Sequence, residues 1–144
     1  MIESEFGVDE IFAKYLGKVD KKEDYVISYF EKFLVRQSKL IGKDLKLSTW
    51  KKFEYVCSDV AAFIKSSYGK NDYSLNKLDQ SFLDDFEYYL KTVKNQKQIT
   101  INKGIQRFRK PIRMAIVEGY LQNDPFALHK PGRVRKEVVF LSEV

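Results

Sequence analysis

Apolar residues recur three or four positions apart along most of this chain, the spacing that turns one side of an α-helix towards a core. Ile11, Phe12, Tyr15 and Leu16 predict a short leading helix that stops at Gly17. Lys18 to Asp24 reads as a polar connection, with Asp24 placed to cap the next helix. Val26, Phe30, Phe33 and Leu34, continued through Gln37 to Ile41, predict that helix over 25–41. After a lysine-bearing loop, Ser48 and Thr49 can accept hydrogen bonds from the open N–H groups of a helix start, so a further helix is expected to begin there. Its stripe is Trp50, Phe53, Cys57, Val60, Ala61, Ile64 and Tyr68, and Gly69 suits the left-handed residue that ends it.

Lys70 to Lys77 is a loop. Asp79 is placed to cap a helix over 80–92 that buries Phe82, Phe86 and either Leu90 or Tyr89, and Leu78 and Leu83 have the spacing of a hydrophobic staple. Tyr15, Tyr29, Tyr88 and Tyr89 fall at packing or rim positions. A long helix is predicted from Thr100 to Glu118, stopping at Gly119. Pro111 lies inside it and cannot donate to the carbonyl of Arg107, which predicts a kink or local irregularity near 107–111. Asp124-Pro125-Phe126 should turn the chain so that Phe126 packs back, Lys130 to Lys136 reads as an extended basic linker, and Val138 to Leu141 has strand character. The fold expected is all-α: four main helices plus the short leading one, with loops long enough for crossed, orthogonal packing.

Composition narrows the chemistry. A domain of 144 residues can bury roughly two-thirds of its unfolded surface and needs no staple to fold. One cysteine, Cys57, and one histidine, His129, exclude an intramolecular disulfide, speak against a Cys/His zinc site, and leave too little for a Cys–His or Ser–His–Asp machine unless His129 is the base, which has no acidic or nucleophilic residue at a suggestive spacing. Cys57 lies on an apolar stripe and reads as a small buried hydrophobe. The seven glycines never cluster into a phosphate-cradling loop, and Asp84, Asp85 and Glu87 read as solvent charges. No cofactor and no metal are expected. No apolar run is long enough to span a bilayer and the acidic N-terminus shows no signal-peptide core, so a cytoplasmic protein without a membrane partner is expected.

The net charge of +6 is mild, but it is unevenly placed. Residues 1–99 carry 17 Lys and Arg against 16 Asp and Glu, whereas residues 100–144 carry 9 against 4. On a helical projection, Ile105, Phe108, Ile112, Ala115 and Ile116 fall within about 60° of Ile101 and form the core stripe. Asn102, Gln106, Arg109 and Arg113 form a second stripe and Lys103, Arg107 and Lys110 a third. The second can address base edges, because Arg matches guanine and Asn or Gln matches adenine with paired groups, and the third can address phosphates. Such stripes also arise as plain solvated faces. Here no carboxylate interleaves between Lys103 and Arg113, so intrahelical ion pairs do not explain them. A weaker signal is Thr49 with Lys51, Lys52 and Tyr55 on the exposed side of the earlier helix, a potential phosphate contact that capping alone also explains.

Four segments in order carry a resemblance: LSTWKKFEYVCSDVAAFIK, LNKLDQSFLDDFEYYLK, ITINKGIQRFRKPIRMAIVEGYLQNDPF and FLSEV. Together they resemble the core-binding, SAM-like domain of tyrosine-type site-specific recombinases, the integrases of phages and conjugative transposons. The third supplies Thr100, Asn102, Ala115, Gly119, Leu121, Pro125 and Phe126 at the positions of that family's signature, and Pro111 is no part of it. The resemblance implies a helical half of a C-shaped clamp on double-stranded DNA at a recombination site. Its DNA-facing helices would be those starting at Ser48/Thr49 and at Thr100. The linker along the DNA would hold Lys130, Arg133, Arg135 and Lys136.

It further implies a division into residues 1–22 (leading helix and connection), 23–129 (core-binding domain) and 130–144 (basic linker and entry to a catalytic domain). The family's catalytic residues belong to that further domain. This chain is therefore expected to bind without cleaving, within a DNA-cleaving and rejoining recombinase. That parent would self-associate on DNA at the bacterial nucleoid and take no small-molecule substrate. Two other readings stay open on the residues: a helical protein-interaction module, which predicts an exposed aromatic patch and no concentration of charge, and a stand-alone enzyme, for which no constellation speaks.

Overall fold

The computed structural model describes residues 24–134. The expected leading helix, the strand-like run 138–141, Arg135 and Lys136 lie outside the described residues. Among the described residues four α-helices carry the fold: α1 (Val26–Ser38), α2 (Leu47–Tyr68), α3 (Gln80–Thr92) and α4 (Gln98–Val117), with a 3-10 turn at Leu75–Lys77. The described residues form no strand, only isolated bridges at Tyr25–Ser74 and Ile41–Leu45. The fold is all-α, as the periodicity predicts. The two long helices, α2 and α4, pack on each other and each also touches α1 and α3.

The core follows the predicted stripes and fills them with aromatic rings. Phe63 sits between α2 and α3, with ring centroids 5.1 Å from Phe82, 5.4 Å from Phe86 and 5.4 Å from Tyr89. Trp50 is buried at the start of α2, and its indole N–H donates to the carbonyl of Leu34 on α1 at 2.9 Å, which satisfies the polar atom and ties the two helices together. Both Tyr89 and Leu90 are buried, Phe126 packs back onto Phe108 at 5.6 Å, and Cys57 is buried with its stripe.

Helix ends are where sequence and structure part most. Asp79 caps α3 as expected, accepting from Phe82 N–H at 2.9 Å, with Leu78 and Leu83 buried beside it. Gly69 ends α2 at φ +67° and Gly119 follows α4 at φ +87°. Asp24, however, does not cap α1. Asp72, far along the chain, does so from outside: its carboxylate accepts from Ile27 N–H at 2.6 Å, Ser28 N–H at 3.1 Å and Ser28 Oγ–H at 2.9 Å. Ser48 and Thr49 do not cap α2 either. They lie within its first turn, after Lys46, which supplies no side-chain cap. Helix α1 stops at Ser38 rather than 41. Helix α4 continues through Pro111, which is buried together with Ile112.

Tyr29 is fully packed, not at a rim. Its hydroxyl donates to Glu118 at 2.5 Å and stacks the end of α4 on α1, while Lys32 and Arg36 approach the same carboxylate at 3.9 and 3.7 Å. Burial first, then the bond to Glu118, holds the Tyr29 phenol well above its ordinary pKa.

Asp72→Ala should destabilise the domain by about 1–2 kcal/mol, the upper part of the range for loss of a helix cap, because three hydrogen bonds from α1 are lost. Asp72→Asn, which keeps an acceptor, should recover part of it. Urea denaturation of the two variants beside the wild type measures both.

Candidate nucleic-acid interface

Helix α4 presents its polar side between α2 and the segment after α4. A groove of about 460 Å³ runs there, lined by Lys103, Gln106, Arg107, Arg109, Lys110 and Arg113 of α4 and by Phe53 of α2. The i, i+3, i+4 and i+7 spacing of a single helix is what brings these side chains to one face. The lining holds five cationic residues and no carboxylate. Lys103, Gln106, Lys110 and Arg113 are exposed and Arg107 is half-buried. Among the described residues none of Lys103, Arg107, Lys110 and Arg113 forms an ion pair. A field of one sign therefore concentrates in a concave strip, which raises its reach towards a polyanion.

The base-edge stripe divides in two. Gln106 and Arg113 stand exposed at the groove. Arg109 is committed to the protein: its guanidinium donates to Asp124 at 3.2 Å and lies 5.7 Å from the Phe126 ring centroid, beneath the turn after α4. Asn102 is committed as well. Its Nδ2 donates to the carbonyl of Gly132 at 2.9 Å and its Oδ1 accepts from Gly132 N–H at 3.2 Å. A smaller pocket of about 260 Å³, lined among others by Asn102, Gln106, Arg109, Phe126, His129 and Pro131, shares Gln106 and Arg109 with the groove. The chain after α4 thus runs along one flank of the groove.

The remaining sequence candidates sit apart from the groove lining. Thr49 is half-buried, while Lys51, Lys52 and Tyr55 are exposed on the first half of α2, Tyr55 at 72%. Thr100 is exposed in the first turn of α4 and Arg133 is exposed beyond Gly132. Helices α2 and α4 both begin after a lysine with no side-chain cap and no acidic residue in the first turn. Sequence reasoning treats Phe53 purely as core and does not single out Gln98, Asp124 or Gly132 as partners of the polar stripe. The i, i+4 spacing of Gln98 and Asn102 is the one visible hint.

Among the described residues no cluster of three or more His, Cys, Asp or Glu could hold a metal ion, and no helix is long and apolar enough to cross a membrane. Compared with known protein families, residues 25–133 match the phage integrase SAM-like domain. No curated protein and no solved structure matches.

Proposed function

This chain belongs to the phage integrase SAM-like domain family, the helical domain of tyrosine-type recombinases, and from that premise we propose that it grips duplex DNA through the basic groove of α4. The observation that carries the proposal is the groove's five cationic residues with no carboxylate among them, four free of any ion pair among the described residues. Lys103, Arg107 and Lys110 would meet phosphates and fix orientation, and Gln106 and Arg113 would supply what base readout there is. Thr49, Lys51, Lys52 and Tyr55 on α2 and Thr100 on α4 would add contacts beside the groove. In this reading residues 23–129 act as the binding unit. Lys130, Arg133, Arg135 and Lys136 follow the DNA towards a catalytic domain, so the chain binds and orients while cleavage, rejoining and self-association on the recombination site belong to the larger recombinase.

The interaction-module reading is less well supported. Among the described residues the most exposed aromatics, Tyr55 and Tyr88, lie on different helices, α2 and α3, whereas charge is concentrated.

The test is the salt dependence of binding to duplex DNA. With about five phosphates neutralised, the affinity is expected to fall roughly 10²–10³-fold between 50 and 200 mM salt. Absence of binding at low salt, or binding indifferent to salt, would remove the groove as a DNA interface.

A further inference from the structure

Asn102 lies on the polar stripe of the groove helix, yet its carboxamide faces the chain's own backbone. Gly132 offers one donor and one acceptor, and Asn102 answers both, with Oδ1 on the N–H at 3.2 Å and Nδ2 on the carbonyl at 2.9 Å. That two-point pairing fixes which way the amide points. It also occupies the same donor–acceptor pair that would otherwise match adenine. Behind it, Gln98 Nε2 donates to Asn102 Oδ1 at 3.0 Å and to Glu87 Oε2 of α3 at 2.8 Å, so the carboxamide is held from both sides.

A second, independent observation concerns the partner. A Cβ at Gly132 would lie 2.5 Å from the Gln98 amide carbon and nitrogen, so the backbone approaches α4 as only glycine does without displacing Gln98. The segment so held, with His129 and Pro131 lining the pocket on the groove's flank, leads directly to Arg133.

We propose that Asn102 is a positioning residue that latches the backbone at Gly132 to the start of α4 and so sets the course of the downstream chain along the groove, rather than a reader of bases. Its consequence for DNA rests on the binding role proposed above; the latch itself does not.

The experiment therefore has two arms. In the first, without DNA, amide hydrogen exchange is followed by NMR in the full chain for wild type, Asn102→Ala and Asn102→Leu. Loss of the latch should speed exchange at Gly132 by about tenfold in both variants, with Ile105 unchanged. Leucine fills the space of asparagine, so protection retained in Asn102→Leu would mean that the residue only packs, and equal exchange in wild type and Asn102→Ala would mean that no latch exists. Either result overturns the proposal.

In the second arm, wild type and Asn102→Ala select from a pool of random duplexes about 30 base pairs long. Asn102→Ala should bind all sequences several-fold more weakly with the same preferences. A lost preference for adenine at one position would restore Asn102 as a base reader and overturn the proposal. If the wild type binds no duplex at low salt, the DNA-binding role fails, while the exchange arm still decides the latch.

Discussion

The triple charge reversal Lys103→Glu, Arg107→Glu, Lys110→Glu is expected to lower affinity for any DNA duplex at least about a hundredfold at 50 mM salt, with little regard to sequence. The three residues form one stripe of α4 and none is held by a carboxylate among the described residues, so they are available to phosphates. Each phosphate contact contributes about 0.9 to the slope of log affinity against log salt, so even neutral substitution of all three should flatten that slope by nearly three. Reversal adds repulsion inside a concave strip, where the field is least screened. The fold should survive, because the side chains are exposed or half-buried and glutamate is as good a helix former as the residues it replaces. A circular dichroism spectrum and melting curve beside the wild type check this. Binding that keeps its strength and slope in the triple variant would place the interface elsewhere. Arg113→Ala differs in kind: besides weakening binding it should relax sequence preference at one position, which selection from a random pool would report.

The largest effect on stability should come from Phe108→Ala, at about 3–5 kcal/mol. Phe108 is fully buried at the middle of α4. Its ring stacks on Phe30 of α1 at 6.0 Å, meets Phe82 and Phe86 of α3 at 6.4 and 5.9 Å, and receives the edge of Phe126 at 5.6 Å. Its removal therefore opens a cavity where α1, α3, α4 and the turn after α4 converge, and no single side chain can move in to close it. Domains of this size have only about 5–15 kcal/mol in hand, so denaturation should begin at markedly lower urea concentration. The loss should reach the groove too, because Phe126 lies over Arg109 and its turn carries Asp124. A loss of stability under about 1 kcal/mol would mean that the aromatic cluster is not the keystone the ring geometry implies.

Much of the fold is legible in the order of residues, and the reason is periodicity. The helix over 80–92, its Asp79 cap and the stripe of Ile101, Ile105, Phe108, Ile112 and Ala115 depend on contacts within a few residues of each other, which spacing reports directly. The expectations that fail involve partners distant in sequence. Asp24 is the local candidate to cap α1, but Asp72 reaches it from the loop after α2, and no spacing rule spans 44 or 45 positions. Ser48 and Thr49 have the chemistry of caps, yet α2 starts one residue before them, where Trp50 N–H bonds the Lys46 carbonyl while its indole reaches the distant Leu34 carbonyl.

The candidate site shows the same boundary. That a carboxylate-free basic stripe lies on one helix beside a basic segment is evident from the order of residues alone, since charge and helical angle are both local properties. Which members of the stripe face outward is not. Asn102 and Arg109 share a stripe with Gln106 and Arg113 and lie on its edge nearer the core, but no spacing names their partners: the chain after α4 folds back and presents Gly132 to one and Asp124 to the other. Sequence determined the helices, their inward faces and the location of the excess charge. Only the tertiary structure decided which polar groups remain unspent at the groove, because a hydrogen bond made to a distant backbone leaves no periodic trace in the chain that makes it.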